Sequence, residues 1–101
     1  MKPDARDALL RSYFAEDMKL LQAKGRDYSG MIDCLRNLRR HGLKGIIVRL
    51  GDKYERLDNL IWNGTPASVK DESILDTLRD IRNYAFLAQI FLDGKDEEKN
   101  G

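Results

Sequence analysis

Carboxylates recur at every fourth position in the stretch from residue 71 to about 92. They are Glu72, Asp76 and Asp80. At about 100° per residue in an α-helix, each is rotated only about 40° from the one before, so all three fall on one stripe, which Asn83 joins. Like charges four residues apart destabilise a helix by a few tenths of a kcal/mol per pair, so helix propensity does not account for them. The spacing predicts either a cation or a row of basic groups facing the stripe, or a solvated acidic face.

A second periodic stretch, residues 43–62, carries basic side chains that suit this acidic stripe. Its apolar residues form one broad arc, which is typical of a helix that faces a core. They are Ile46, Ile47, Leu50, Tyr54, Leu57, Leu60 and Ile61. Lys53 projects into the edge of the arc, so its charge must either reach water or meet a carboxylate. Arg49, Arg56 and Asp52 follow around the helix, and we expect this mainly basic stripe to face the acids.

Oxygen ligands are the chemistry that this residue set favours. One cysteine, Cys34, and one histidine, His41, cannot build a three- or four-ligand zinc site. No glycine-rich phosphate loop is recognisable either. Carboxylates from two helices hold hard cations such as Mg²⁺ or Mn²⁺, while the phosphates of a substrate complete the coordination shell. The metal then polarises a phosphoryl oxygen and a free carboxylate activates water, which predicts hydrolysis of a nucleotide.

The roles in such a site follow from the two stripes. The predicted metal ligands are Glu72, Asp76, Asp80 and Asp52, and the first three are also the predicted catalytic residues. The predicted nucleotide-binding residues are Arg49, Lys53, Arg56, Asn83, Asp27 and Tyr28. Tyr28 would stack on a base while Asp27 reads its edge. The alternative for that pair is a capping turn in which Tyr28 covers the end of a bundle.

The elements that would position these residues are all helical. The first helix is predicted over residues 4–24, ending near Gly25, where a left-handed cap carries little strain. A polar corner at 26–30, a short helix at 31–40 and a loop at 63–68 separate it from the two stretches already described. No stretch shows convincing strand alternation. We therefore predict an all-α protein, an antiparallel bundle of about four helices.

The domain organisation follows from length and from the last helix. A chain of 101 residues is one domain, predicted over 1–93, with a charged disordered tail at 94–101. The last helix carries apolar residues on several sides, which predicts a homo-oligomer that forms through it. Its main apolar arc consists of Ile74, Leu78, Ile81, Ala85, Ala88 and Leu92, and the apolar residues away from that arc are Leu75, Phe86, Leu87 and Ile90.

Composition narrows the partners and the compartment. The chain has 18 Lys and Arg against 17 Asp and Glu, which argues against attachment to nucleic acid by bulk charge. The lone cysteine fits a reducing cytosol, and the N-terminus lacks the apolar core of a signal peptide. No stretch approaches the roughly 18 apolar residues of a membrane span. A cytoplasmic protein with no membrane partner is expected.

The same residues resemble the signature blocks of a phage-associated family called nucleotide modification associated domain 1. The blocks occur in the family's order, from residue 27 to residue 84. They are Asp27-Tyr28, Arg49-Leu50, Asp52-Lys53, Arg56-Leu57, Asp71-Glu72-Ser73, Asp76-Thr77, Asp80 and Asn83-Tyr84. The resemblance implies a role in phage or bacterial nucleotide metabolism, in the host cytoplasm for a phage-encoded chain.

That family is in turn similar to the MazG-like all-α pyrophosphohydrolases, which bind Mg²⁺ through acids on two neighbouring helices. They cleave a nucleoside triphosphate to the monophosphate and pyrophosphate, and the resemblance implies this reaction for a nucleoside or deoxynucleoside triphosphate. The MazG pattern has two Glu three apart on one helix and a Glu three before an Asp on the next. Here the helix predicted over residues 43–62 offers Asp52 and Glu55 in place of the two Glu, and on the next helix Thr77 is three residues before Asp80.

Two alternatives to an enzyme stay open. One is a binding module that captures a nucleotide without turning it over. The other is a structural or protein-binding helical bundle, in which Arg49, Lys53 and Arg56 form a ladder of salt bridges with the acids and no metal is held.

Overall fold

The computed structural model describes residues 1–29, 36–64, 66 and 73–94, with the backbone alone at 28, 29, 36 and 37, and these residues form helices and connecting turns. The helices are α1 (Pro3–Ser29), α2 (Arg36–Arg39), α3 (Gly42–Trp62) and α4 (Ile74–Leu92). The predicted all-α class is confirmed, with three long helices and one four-residue turn of helix. The chain divides into a unit of residues 1–37, which contains α1, and a unit of residues 38–101, which contains α3 and α4. The predicted disordered tail, beyond Gly94, lies outside the described residues.

α1 is longer than the sequence predicts. Pro3 is its first residue, where a missing N–H costs nothing, and Asp4 lies in the first turn, where it complements the helix dipole. The predicted end near Gly25 is wrong, because the helix continues through that glycine to Ser29. A glycine inside a helix costs only about 1 kcal/mol, and Arg26 in the last turn favours the helical conformation there. Asp27 is therefore helical and does not lie in a polar corner.

α3 follows the prediction closely, since it spans Gly42–Trp62 against an expected 43–62. Asn63 is its C-cap, and Gly64 has a φ of 61°, in the left-handed region that ends helices. The predicted loop thus begins where expected, although most of residues 65–72 lie outside the described part of the chain.

α4 begins later than predicted, at Ile74. Ser73 is its N-cap in an extended conformation, and the Ser73 Oγ accepts a hydrogen bond of 3.2 Å from the backbone N–H of Asp76. The hydroxyl of Thr77 donates to the Ser73 carbonyl at 2.8 Å, which closes the first turn. Within the helix the predicted acidic stripe therefore consists of Asp76 and Asp80, because Glu72 precedes the cap and lies outside the described residues. The end at Leu92 agrees with the prediction.

α3 and α4 pack against each other and run antiparallel. Lys53 pairs with Asp80, and one turn further along α4 Tyr84 shares a cavity with Arg49, one turn earlier in α3. On α3 the packed side centres on Ile46, which is 1% exposed. No helix in the described part of the chain is long and apolar enough to cross a membrane.

The side of α4 that packs is not the predicted apolar arc. Its buried residues are Thr77, Asn83 and Ala88. Of the predicted arc, Ala88 is buried and Ile81 is half-buried, whereas the others are exposed, namely Ile74, Leu78, Ala85 and Leu92. The helix is rotated toward its acidic side because α3 presents Lys53 at the contact, and Asp80 must turn inward to meet that charge.

Candidate functional site

An ion pair joins the two stripes predicted from the sequence. The Nζ of Lys53 lies 3.0 Å from the Oδ2 of Asp80, and the two side chains are 24% and 21% exposed. Of the two outcomes predicted for Lys53, contact with a carboxylate is the one observed. A pair that is mostly shielded from water interacts more strongly than a surface pair.

A polar cavity of about 340 Å³ lies beside this pair. It is lined by Arg49, Asp52, Lys53, Arg56 and Tyr84. The four α3 residues are spaced at i, i+3, i+4 and i+7, so the helix places them on one side. Their charges are three positive and one negative, which makes the cavity locally cationic in a chain whose net charge is only +1. A cavity of this size and charge suits a small anionic ligand.

The acids of α4 are less concentrated than the three-residue stripe predicts. Asp76 is about half-exposed and its Oδ1 lies 3.8 Å from a terminal guanidinium nitrogen of Arg79, three residues along the same helix. Asp80 contacts Lys53. Among the described residues no three Asp, Glu, His or Cys side chains are grouped so that they could hold a metal ion.

The described carboxylates near the cavity come from both helices, and the binding of Mg²⁺ by them stays a prediction. Asp52 lines the cavity from α3, while Asp80 faces Lys53 from α4. A metal site built as predicted would need Glu72, which lies outside the described residues.

Asn83 is a polar residue that is buried on the inner side of α4. It is 6% exposed, and its Oδ1 accepts no hydrogen bond within the described part of the chain. Because a buried amide oxygen without a donor costs roughly 1–3 kcal/mol, this oxygen is a candidate acceptor for a donor outside the described residues. Asn83 does not line the cavity beside the Lys53–Asp80 pair.

The predicted base-recognition pair lies in the other unit. Asp27 is exposed in the last turn of α1, and the side chain of Tyr28 lies outside the described residues. The structure therefore gives these two residues a helical backbone, and their role in binding a base stays a prediction.

Tyr84 is the lining residue that the sequence analysis did not assign to the site. The signal for it was present, because Tyr84 is four residues after Asp80 and therefore lies one turn along the same side of α4. Thr77 was likewise missed as a buried residue, although its position four after Ser73 is where a hydroxyl can reach the carbonyl that starts the helix.

No protein-family model matches the chain, and no curated protein or solved structure is significantly similar to it. The resemblance to nucleotide modification associated domain 1 stays a prediction.

Proposed function

We propose that the protein binds a nucleoside or deoxynucleoside triphosphate in the cavity between α3 and α4. The observation that carries this proposal is the presence of three cationic side chains around one cavity of about 340 Å³. A triphosphate brings several negative charges in a small volume, so its recognition needs concentrated positive charge. Arginine is well suited to that role because its planar guanidinium donates two parallel hydrogen bonds to phosphate oxygens.

The spacing of the cations along α3 favours a polyphosphate over a single phosphate. Arg49 and Arg56 are seven residues apart, which corresponds to about 10 Å along the helix axis. Two guanidinium groups separated in this way can contact different phosphate groups of one chain. Lys53 lies between them and contacts Asp80, and we expect the two guanidinium groups to contribute more of the binding energy because each can donate two parallel hydrogen bonds to phosphate oxygens.

Tyr84 supports a nucleotide rather than an inorganic polyphosphate. It is the one aromatic side chain among the lining residues, and it comes from the opposite helix. An aromatic ring beside a cationic surface provides a stacking partner for a base while the cations hold the phosphates.

Hydrolysis to the monophosphate and pyrophosphate is the fuller form of this proposal. It would require Mg²⁺ or Mn²⁺ on Asp76, Asp80, Glu72 and Asp52, with the arginines on the phosphates. The metal would supply charge stabilisation and an activated water. Metal-dependent release of pyrophosphate is the measurement that tests this step.

A non-catalytic nucleotide-binding module is the second candidate, and one observation favours it. Asp80, the acid nearest to the packed side of α4, contacts Lys53, and the described acids do not group around one point. The same ion pair is what a structural helical bundle predicts, in which the stripes serve packing alone.

One titration separates these candidates. Purified protein is titrated with nucleoside and deoxynucleoside triphosphates, with Mg²⁺, with Mn²⁺ and with EDTA, and both heat of binding and pyrophosphate release are measured. Arg49→Gln and Arg56→Gln should each lower affinity by roughly tenfold, since a charge-assisted contact contributes about 1.5 kcal/mol. Lys44→Gln is the matched control, because Lys44 is an exposed cation of the same helix that does not line the cavity.

Each result has a defined meaning. Metal-dependent pyrophosphate release that is lost in Asp76→Ala supports the enzyme. Binding without product supports the module. No binding of any triphosphate by the wild-type protein, or equal losses in Lys44→Gln and Arg56→Gln, would contradict the proposed site.

The proposal also includes a cytoplasmic location and a homo-oligomer. The single cysteine supports the first, because an unpaired thiol suits a reducing compartment. The large number of exposed apolar side chains supports the second.

A further inference from the structure

The α3–α4 pair exposes a row of apolar side chains on each helix. On α3 the row is Ile47, Tyr54 and Ile61, which are spaced by seven residues and so lie on one stripe. On α4 the row is Ile74, Leu78 and Leu92, with Ala85 between them. These six large side chains are between 37% and 70% exposed.

Both rows lie on the same side of the α3–α4 pair. On α3 the side that faces α4 includes Ile46, Lys53 and Leu57, and we call the direction from the helix axis toward this side the packed direction. The apolar row lies about 80° around the helix from it, in the sense in which the chain winds as residue number increases. On α4 the row is rotated from the buried Thr77 and Ala88 by a similar angle, roughly 65°, in the same sense, whereas the third buried residue, Asn83, lies about 130° from them in the opposite sense. Antiparallel helices are related by a two-fold axis perpendicular to both, so equal rotations bring the two rows to one side.

The position of the polar cavity follows from the same helix geometry. Arg49, Arg56 and Asp52 on α3, and Asp76 and Asp80 on α4, are rotated in the opposite sense from the packed direction. They must therefore lie on the other side of the helix pair, which agrees with the Lys53–Asp80 contact and with the residues that line the cavity. The helix pair has one polar side with the cavity and one apolar side without it.

The apolar side is at the upper end of what an ordinary monomer exposes. Six large side chains at these exposures amount to roughly three fully exposed ones, or on the order of 600 Å². Contiguous apolar patches on soluble monomers rarely exceed a few hundred Å². In the described residues, the buried apolar side chains are Ile46 and Ala88 alone, so the pair needs a second layer to complete a core.

We infer that this apolar side binds the same side of a second copy of the chain, so that two α3–α4 pairs form one four-helix core. A standard interface buries about 800 Å² on each partner, and the exposed surface of the six side chains alone is roughly three quarters of that area. A second copy is the occupant that this area favours, because a two-fold contact buries the same patch on both chains and leaves none of it exposed. The polar cavities then lie on the outer sides of the dimer, and the inference holds whether or not a nucleotide binds there.

The test uses the full chain and a pair of matched variants. Ile47→Asp places a charge within the apolar row of α3, whereas Val48→Asp places it one residue later, about 100° around the helix, at a position that is 64% exposed. The mass is measured by sedimentation equilibrium up to about 100 µM, because an interface of this area has at its weakest a Kd in the micromolar range. The wild type should have twice the chain mass of 11.6 kDa. Ile47→Asp should sediment as a monomer with its helical circular dichroism retained, and Val48→Asp should remain a dimer.

A second measurement protects the test against a variant that fails to fold. In a mixture of isotope-labelled and unlabelled wild-type chains, intermolecular NOEs should involve the methyl groups of Ile47, Ile61, Ile74 and Leu78. A wild type that stays monomeric at the highest concentration overturns the inference. So does a dimer whose intermolecular NOEs come only from other surfaces, or one that Val48→Asp disrupts as strongly as Ile47→Asp.

Discussion

Lys53 and Asp80 form a 3.0 Å ion pair across the α3–α4 contact, with less than a quarter of either side chain exposed. The pair lies at the centre of the polar side of the two helices, next to the cavity that Arg49 and Arg56 also line. It brings Asp80 of α4 to the contact with α3 and at the same time uses one of the cavity's three cations. Its contribution to stability and its contribution to binding can be separated by mutation.

Removing one member of this pair should destabilise the protein by roughly 1–2 kcal/mol. Lys53→Met leaves the Asp80 carboxylate shielded and without this cation, which costs more than the interaction itself gains. The free energy of unfolding in urea is the measurement. Arg6→Ala is the control, because Arg6 and Asp7 are also 3.0 Å apart but are 62% and 45% exposed, and this variant should stay within about 0.5 kcal/mol of the wild type. Equal effects of the two substitutions would contradict the role given to burial.

The hydroxyl of Ser73 should stabilise the start of α4. Ser73→Ala removes the acceptor for the Asp76 N–H and should lower the free energy of unfolding by about 1 kcal/mol. Ser73→Asp keeps an acceptor at the cap and adds a favourable charge at the helix N-terminus, so it should match the wild type within a few tenths of a kcal/mol. If alanine and aspartate give the same stability, Ser73 does not act as the cap in solution.

Tyr84 should distinguish a nucleotide from its phosphates. Tyr84→Leu keeps an apolar side chain but removes the ring, and stacking on one base contributes about 1–3 kcal/mol, so nucleoside triphosphate affinity should fall at least fivefold. Inorganic triphosphate should bind the variant and the wild type equally well, because Arg49 and Arg56 remain. A parallel loss for both ligands in calorimetric titrations would show that Tyr84 supports the cavity wall rather than a base.

Two glycines of α3 should respond in opposite ways to alanine. A Cβ at Gly45 would lie 2.5 Å from the Cβ of His41, so part of the turn before α3 must shift, and Gly45→Ala should be destabilising. A Cβ at Gly51 meets nothing within 4 Å, so Gly51→Ala should stabilise the helix by roughly 0.5–1 kcal/mol through propensity. Urea unfolding of both variants at one protein concentration tests the difference, and a gain in stability from Gly45→Ala would contradict the crowding at His41.

The sequence predicted the structure best where one local signal determines it. α3 was predicted within one residue at its start, and the left-handed Gly64 follows its end as expected. The contact of Lys53 with a carboxylate is one of the two outcomes that were predicted, because a charge at the edge of an apolar arc must either reach water or be paired. The oligomer and the catalytic roles of Asp76 and Asp80 stay predictions.

Where two signals of similar strength competed, the sequence analysis was wrong. Gly25 was read as a helix end, yet its cost of about 1 kcal/mol is small against the hydrogen bonds that α1 gains by continuing. Asp71 and Ser73 are both residues that start helices well, and the hydroxyl of Ser73 provides the cap. The exposure of Ile74 and Leu78 could not be read from periodicity, because the rotation of α4 depends on which side chain α3 presents to it.

The pairing of α3 with α4 also has a consequence for how the molecule reaches its native state. Lys53 and Asp80 are 27 positions apart in the chain, so the contact that organises the polar side closes a short loop. Proteins whose contacts are local in sequence fold in microseconds to milliseconds, because little chain entropy is lost before the contacts form. The α3–α4 pair should therefore assemble early and quickly, before any step that requires two chains to meet.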